Sequence, residues 1–261
     1  VTAQPALEVR GLVKTFGGLR AVSDVSFTVG TGTLTALIGP NGAGKSTLFN
    51  LLTNLYRSDA GEVALFGTPV HGMSCDAIAR LGLVRTFQTA RVFAGMSVLE
   101  NVMSGAHIVA RVPAWAYAFR FRNARRQERE LEARADALLE ALGIADLRDR
   151  PASALPLGTQ KIVELARALI GRPRMLLLDE PAAGLNDAET EELAALLLGV
   201  HYSGTTIFVV EHNMSLVMGI ADRILVLDAG TLIAHGTAQE IRADQHVVEA
   251  YVGRTAARNR S

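Results

Sequence analysis

The sequence has 261 residues, enough for one α/β domain with a sizeable core, or a core plus a small subdomain. Its 26 Lys and Arg balance 26 Asp and Glu, so charge gives no pull toward nucleic acid or an anionic membrane surface. The single cysteine, Cys75, rules out an internal disulfide, and no metal-ligand spacing surrounds it, so it reads as an ordinary packing or surface residue.

Taken in chain order, LEVRGLVKTF, DVSFTV and TLTALI read as strands, rich in β-branched residues and separated by Gly and Asp. TLTALI runs straight into Gly39 and a glycine-rich loop, and STLFNLLTNLY follows with helical spacing at Leu48, Leu51, Leu52 and Leu55. From about Met96 to Pro151 the character turns helical. Leu131, Ala135, Leu138 and Leu142 make one apolar stripe, and Arg126 with Glu130 and Glu130 with Arg134 are expected as i,i+4 pairs on the wet face. The apolar run from Ala106 to Phe121 is broken by Arg111, Pro113 and Arg120 and falls short of a membrane span. After Pro156 comes QKIVELARALI, read as an amphipathic helix through Ile162, Leu165, Ala166 and Leu169. The short strands MLLLD, TTIFVV and RILVLD complete a largely parallel α/β core interrupted by a helical insert. No basic region followed by an apolar run opens the chain, so the expected location is the cytosol.

GPNGAGKST, from Gly39 to Thr47, fits the pattern G-x-x-x-x-G-K-S/T throughout. Gly42 and Gly44 permit a tight turn in which the successive N–H groups that follow Pro40, those of Asn41 and Ala43 among them, face one concavity. The following helix offers its positive N-terminus to the same phosphates. Lys45 is a compact charge for the β- and γ-phosphates, and Ser46 offers a hydroxyl to Mg²⁺. Lys occurs only at positions 14, 45 and 161, so its presence in this loop is pointed. The plain alternative, a glycine turn that happens to precede a helix, accounts for neither the full motif nor its context.

MLLLDE delivers Asp179 and Glu180 at the C-terminal end of a buried strand, where open α/β sheets bind ligands. Asp179 is expected to hold Mg²⁺, directly or through water, and Glu180 to act as general base on an attacking water. Two acids marking a turn before Pro181 is the weaker explanation beside a complete phosphate loop. TTIFVVEHN carries His212 off another apolar strand toward the same edge, where it would hold the γ-phosphate or the water. His71, His107, His201, His235 and His246 are expected at the surface or in packing.

With these motifs in order, the sequence resembles the ATP-binding cassette (ABC) ATPases over nearly its whole length. The resemblance implies a P-loop NTPase core with an antiparallel β subdomain over about 1–95 and 155–240. It further implies a helical subdomain over about 96–154 and a C-terminal helical tail over about 241–261. By the same resemblance Gln88, in VRTFQTARVF, is the Q-loop residue that contacts Mg²⁺ and signals to membrane subunits, and Phe16, in KTFGGLRAV, stacks on adenine. ALPLGTQKIVELARAL lies where the family has its signature, so Leu157, Gly158, Thr159 and Gln160 are expected on a partner subunit's nucleotide. AAGLND is similar to the loop that crosses between two nucleotide sites. Two departures stand out. Pro156 replaces the usual signature serine, with the Thr159 hydroxyl at the same helix start, and Asn186 stands where Asp is commonest.

VRTFQTARVFAGMSVLENV, DEPAAGLN, EHNMSLVMGIADRILVLDAG and GTAQEIRADQHVVEAYVG are similar to the ATPase subunits of branched-chain, or hydrophobic, amino acid importers. Urea and amide importers share these patterns and remain the alternative. The implied activity is ATP hydrolysis, with Mg²⁺, that drives transport at the inner face of the cell membrane. The implied partners are a second cassette subunit, two membrane permease subunits and, through them, an extracytoplasmic solute-binding protein. A chromosome-type cassette needs a long coiled coil between phosphate loop and signature, and a ribosome-type cassette needs two cassettes in one chain; neither fits here. A P-loop kinase or GTPase would leave Gln88, the signature and His212 unexplained.

Overall fold

The computed structural model describes residues 4–86, 92–108 and 122–258. Strands β1 (Leu7–Phe16) and β2 (Leu19–Val29) form an antiparallel hairpin, and β3 (Leu34–Ile38) leads to helix α1 (Lys45–Leu52). Next come β4 (Ala60–Leu65), β5 (Thr68–Pro69), α2 (Cys75–Arg80) and β6 (Leu83–Arg85). Helices α3 (Val98–Ser104), α4 (Arg122–Ala141) and α5 (Leu157–Leu169) follow. The remainder alternates as β7 (Met175–Asp179), α6 (Asp187–Tyr202), β8 (Thr206–Val210), α7 (Met214–Ile220), β9 (Arg223–Asp228) and β10 (Thr231–Gly236). Helices α8 (Ala238–Ala243) and α9 (Gln245–Arg258) end the described chain.

Two sheets result. One is antiparallel, in the order β2-β1-β4-β5; the other runs β10-β9-β3-β8-β7-β6 and is parallel except for its edge strand β10. The central strands β3, β7 and β8 are buried at every residue, which is why they read as continuous apolar runs. Alternate residues serve two cores, as the two-residue strand period requires. Leu34, Ala36, Ile38, Leu176, Leu178, Ile207 and Val209 face the helical side. Leu37, Leu177, Phe208 and Val210 face the other side, where Leu48 and Phe49 of α1 pack with Val9, Val22 and Phe27 of the antiparallel sheet. Helix α1 is thereby pinned, and with it the loop that precedes it.

The helical segment departs from expectation in two places. Ala135 of α4 and Leu142 just after it are buried, with Leu131 and Leu138 packed against the same core, as the stripe implied; Leu139, outside the stripe, is buried as well. Arg126 does pair with Glu130 at 2.7 Å. Arg134, however, donates to the carbonyl of Ile170 at the end of α5 rather than pairing with Glu130. A helix end leaves carbonyls without intrahelical donors, and a long basic side chain is well suited to satisfy one. Helix α5 buries its expected apolar residues Ile162, Leu165 and Ala166, yet burial does not stop at that face. Lys161, Ile162, Val163, Glu164, Leu165, Ala166 and Ala168 are all buried, because α3 and α4 cover the face turned away from the sheet.

Candidate active site

The phosphate loop is built by the junction of β3 and α1. Gly39 has φ +152°, and a Cβ there would lie 2.0 Å from the Leu227 carbonyl oxygen. Gly44, the residue capping α1, has φ +102°, and its Cβ would meet the Ala21 carbonyl oxygen at 2.3 Å. Only glycine fits both places. With no capping side chain at Gly44, the first-turn N–H groups of α1 are left to whatever binds in the loop. Lys45 is the first helical residue and is buried, and its Nζ donates to the carbonyls of Gly39 at 2.7 Å and Pro40 at 3.1 Å. Burial pushes the Lys45 amine below its ordinary pKa, and the carboxylates of Glu180 and Asp179 offset part of that.

Strands β7 and β8 lie side by side with Asp179 opposite Val210, so the residues that follow each strand emerge together. Glu180 Oε1 lies 2.7 Å from His212 Nε2. A carboxylate only accepts hydrogen bonds, so Nε2 carries the proton in this contact. Asp179 turns the other way: its Oδ2 accepts from Arg85 Nη2 at 2.8 Å, and Arg85 Nη1 donates to Asn50 Oδ1 of α1 at 2.7 Å. Arg85, absent from the sequence reading, thus ties the short strand β6 to both acid and helix.

An open cavity of about 550 Å³ lies over this region, within the range of small-molecule sites. Asn41, Gly42, Ala43, Gly44, Lys45, Ser46, Thr47, Glu180, His212 and Phe16 all line it. Gly39 and Pro40 contribute through the carbonyls that hold Lys45. The Phe16 ring is 42% exposed, with Tyr56 edge-on at 5.5 Å, so a flat apolar face is available at the cavity's mouth. Asp179 does not line the cavity, being 6% exposed and held by Arg85. The lining also includes Leu19, Arg20 and Ala21 of β2 and the turn residues Ala229 and Gly230, which sequence reasoning missed. Gly230 is fastened to the loop by its N–H donating to the Ala43 carbonyl at 2.9 Å. These positions lie inside segments quoted above but carry no chemistry of their own; the β1–β2 hairpin brings in the first three, and the turn after β9 brings in the other two.

Leu157, Gly158, Thr159 and Gln160 lie apart from this cavity, at the N-terminus of α5, where Pro156 is the capping residue. Gln160 Nε2 donates to the Leu155 carbonyl at 2.8 Å. Gly158 abuts α6, whose first turn is closed by a reciprocal capping box between Asn186 and Glu189. Asn186 therefore serves as a helix cap in this chain. Gln88 falls outside the described residues.

The sequence profile of the ABC transporter family matches residues 22–183. The high-affinity branched-chain amino acid transport ATP-binding protein LivG of Salmonella typhimurium is 43% identical over 96% of this chain and 99% of its own length. The chain belongs to the ABC transporter ATP-binding proteins. It is an ATPase of the kind whose ATP hydrolysis is coupled to transport. BraF of Pseudomonas aeruginosa, named likewise as a high-affinity branched-chain amino acid transport ATP-binding protein, is 41% identical over 96% of this chain and 99% of its own. The crystal structure of the ADP conformation of an ATP-binding cassette from an ABC transporter superposes with a TM-score of 0.82 at 32% identity, covering 95% of this chain and 99% of that one. A second profile, of the branched-chain amino acid ATP-binding cassette transporters, matches residues 231–257 of this ABC ATPase.

Lys45→Ala in this ATPase is expected to weaken ATP binding roughly 10- to 100-fold, since a hydrogen bond to a charged group contributes about 1.5–3 kcal/mol. Titration with a fluorescent ATP analogue measures this. Unchanged affinity with lost turnover would confine Lys45 to the transition state.

Proposed function

We propose that this chain is the motor subunit of an importer of branched-chain or other hydrophobic amino acids. The carrying observation is the single cavity that sets Lys45 and Ser46 of the phosphate loop opposite Glu180 and His212. The C-terminal match at residues 231–257, together with the names of the LivG and BraF relatives, supports the solute class. Among the described residues no helix is long and apolar enough to cross a membrane, so the solute's path lies in partner permease subunits. The chain would sit at the inner membrane face through two such subunits, which an extracytoplasmic solute-binding protein supplies. A second cassette subunit would face this one, with Leu157, Gly158, Thr159 and Gln160 meeting that partner's nucleotide.

In this reading the adenine stacks on Phe16, and the loop N–H groups from Asn41 to Thr47 take the phosphates with the Lys45 ammonium. Glu180 accepts a proton from a water as that water's oxygen attacks the γ-phosphorus and ADP leaves. His212 Nε2–H holds the Glu180 carboxylate at 2.7 Å and fixes its direction. The Ser46 hydroxyl, which lines the cavity, fits Mg²⁺ directly; Asp179, set back from the cavity on Arg85, would act through water, with Gln88 as the expected third contact. Held there, Mg²⁺ would supply positive charge against the phosphates. Arg85 holds Asp179 Oδ2 at 2.8 Å while its other guanidinium nitrogen donates to Asn50 of the loop helix, which fixes the carboxylate's place relative to α1.

The test is uptake by the assembled transporter in vesicles, with ATP inside and a panel of solutes outside. Leucine, isoleucine and valine should be taken up and should stimulate ATP hydrolysis. Stimulation by urea or short amides, without response to leucine, would move the chain to the alternative importer class.

A further inference from the structure

Glu180 adopts φ +48°, a left-handed backbone that residues bearing a Cβ rarely occupy. Its surroundings must hold it there, and two buried charged residues outside the cavity lining do so. Glu211, next after β8, is 3% exposed. Its Oε1 accepts the Ala182 N–H at 2.7 Å, while its Oε2 accepts the N–H groups of His212 at 2.9 Å and Asn213 at 3.2 Å. One carboxylate therefore spans the loop carrying Glu180 and the loop carrying His212. From the other side Lys161 of α5, 8% exposed, donates to the Pro181 carbonyl at 2.7 Å and lies 3.5 Å from the Glu180 carbonyl oxygen. Burial lowers its pKa, and Glu211, Glu164 and Glu180 work against that.

We propose that Glu211 and Lys161 are positioning residues for hydrolysis, a buried clamp that keeps the Glu180 carboxylate and the His212 imidazole at their working distance. This rests on Glu180 being the base. The chemistry requires an ionised carboxylate at 211. Three N–H donors converge on its two oxygens, whereas a glutamine offers one acceptor oxygen and turns an NH₂ toward at least one donor. The requirement at 161 is for a cation that reaches main-chain carbonyls. It also couples the base to the signature helix of its own chain, since Lys161 stands one turn into α5.

The full chain carrying Glu211→Gln should lose 10- to 100-fold in kcat, with the KM for ATP and the measured ATP affinity changed less than twofold. Lys161→Met should behave alike, and Lys161→Arg should recover most of the rate. In a Glu180→Gln background, Glu211→Gln should subtract nothing further, because it acts through the residue already disabled. A residue needed merely for folding would instead lower melting temperature and nucleotide binding together. Should Glu211→Gln not fold, the Lys161 pair carries the same comparison. A wild-type kcat in both Glu211→Gln and Lys161→Met, or a rise in KM at constant kcat, overturns the clamp while leaving Glu180 as base. A normal rate in Glu180→Gln alone overturns the base and the clamp with it.

Discussion

Glu180→Gln is expected to cut ATP turnover by about 10²–10⁴-fold, the usual contribution of a general base, with ATP affinity nearly unchanged. The amide fills the space of the carboxylate, and its oxygen can still accept from His212 Nε2, now at 2.7 Å from Glu180 Oε1, so the geometry survives. What is lost is the ability to take a proton. The charge loss removes one of the two carboxylates that support the Lys45 ammonium, but Asp179 remains. In the proposed sandwich a closed ATP-bound dimer would reopen through hydrolysis, so the variant should also accumulate as that dimer. Phosphate release, ATP titration and size-exclusion chromatography with ATP read these separately. Hydrolysis at the normal rate would remove Glu180 as base and put His212 first.

Gly158→Asp should abolish ATP-dependent dimerisation while leaving ATP binding to the chain's own loop intact. A Cβ at Gly158 would lie 2.7 Å from Glu189 Oε1 and 3.0 Å from its Cδ. Glu189 is committed: its Oε2 accepts the Asn186 N–H, and its own N–H donates to Asn186 Oδ1, both at 3.0 Å. A side chain at 158 pushes the Glu189 carboxylate aside and weakens its hydrogen bond from the Asn186 N–H, while the Asn186 Oδ1 cap on the Glu189 N–H can remain. Aspartate adds repulsion from Glu189 and, in the proposed sandwich, from the partner's phosphates. Gly158→Ala, which brings the displacement without the charge, should dimerise weakly. Analytical ultracentrifugation with ATP in a Glu180→Gln background measures all three. A Gly158→Asp protein that dimerises as well as its parent would show that the signature lies elsewhere.

The phosphate loop was legible because strand, loop and helix are contiguous in sequence, although the carbonyls that crowd Gly39 and Gly44 come from distant Leu227 and Ala21. Glu180 and His212 could be picked out as polar residues leaving apolar strands. Their mutual contact could not, because it depends on β7 lying beside β8. Arg85 was invisible for a similar reason: it sits on a three-residue strand, and its carboxylate partner is 94 residues away in sequence. Helix α5 misled because Lys161 and Glu164 look like a wet face, whereas both are buried, Lys161 on main-chain carbonyls. Lys161 did stand out as one of few lysines, but composition says nothing about what an amine touches. Strands β4, β5 and β10 were not foreseen; β4 is buried only toward its end, β5 has two residues, and β10 is an edge. Weakly buried strands carry little alternation to read.

The order of the parallel sheet has a consequence for how the molecule comes into being. Strand β3 ends at the phosphate loop, yet both its neighbours are β8 and β9, and the bonds that seat its start reach 174 residues ahead from Gly32 to Thr206 and 188 from Leu34 to Asp222. At about 5–20 residues per second of synthesis, those partners emerge on the order of ten seconds or more after β3. The β1–β2 hairpin is complete long before, since Leu7 pairs with Val29. During that interval LTALI is an apolar strand with both edges open, the kind of segment that pairs with other chains. The loop lies against the Leu227 carbonyl of β9 and is tied through Ala43 to Gly230, so its surroundings are incomplete until β9 and the turn after it have been made. Support for the phosphate loop therefore arrives late in synthesis, with the last strands of the parallel sheet.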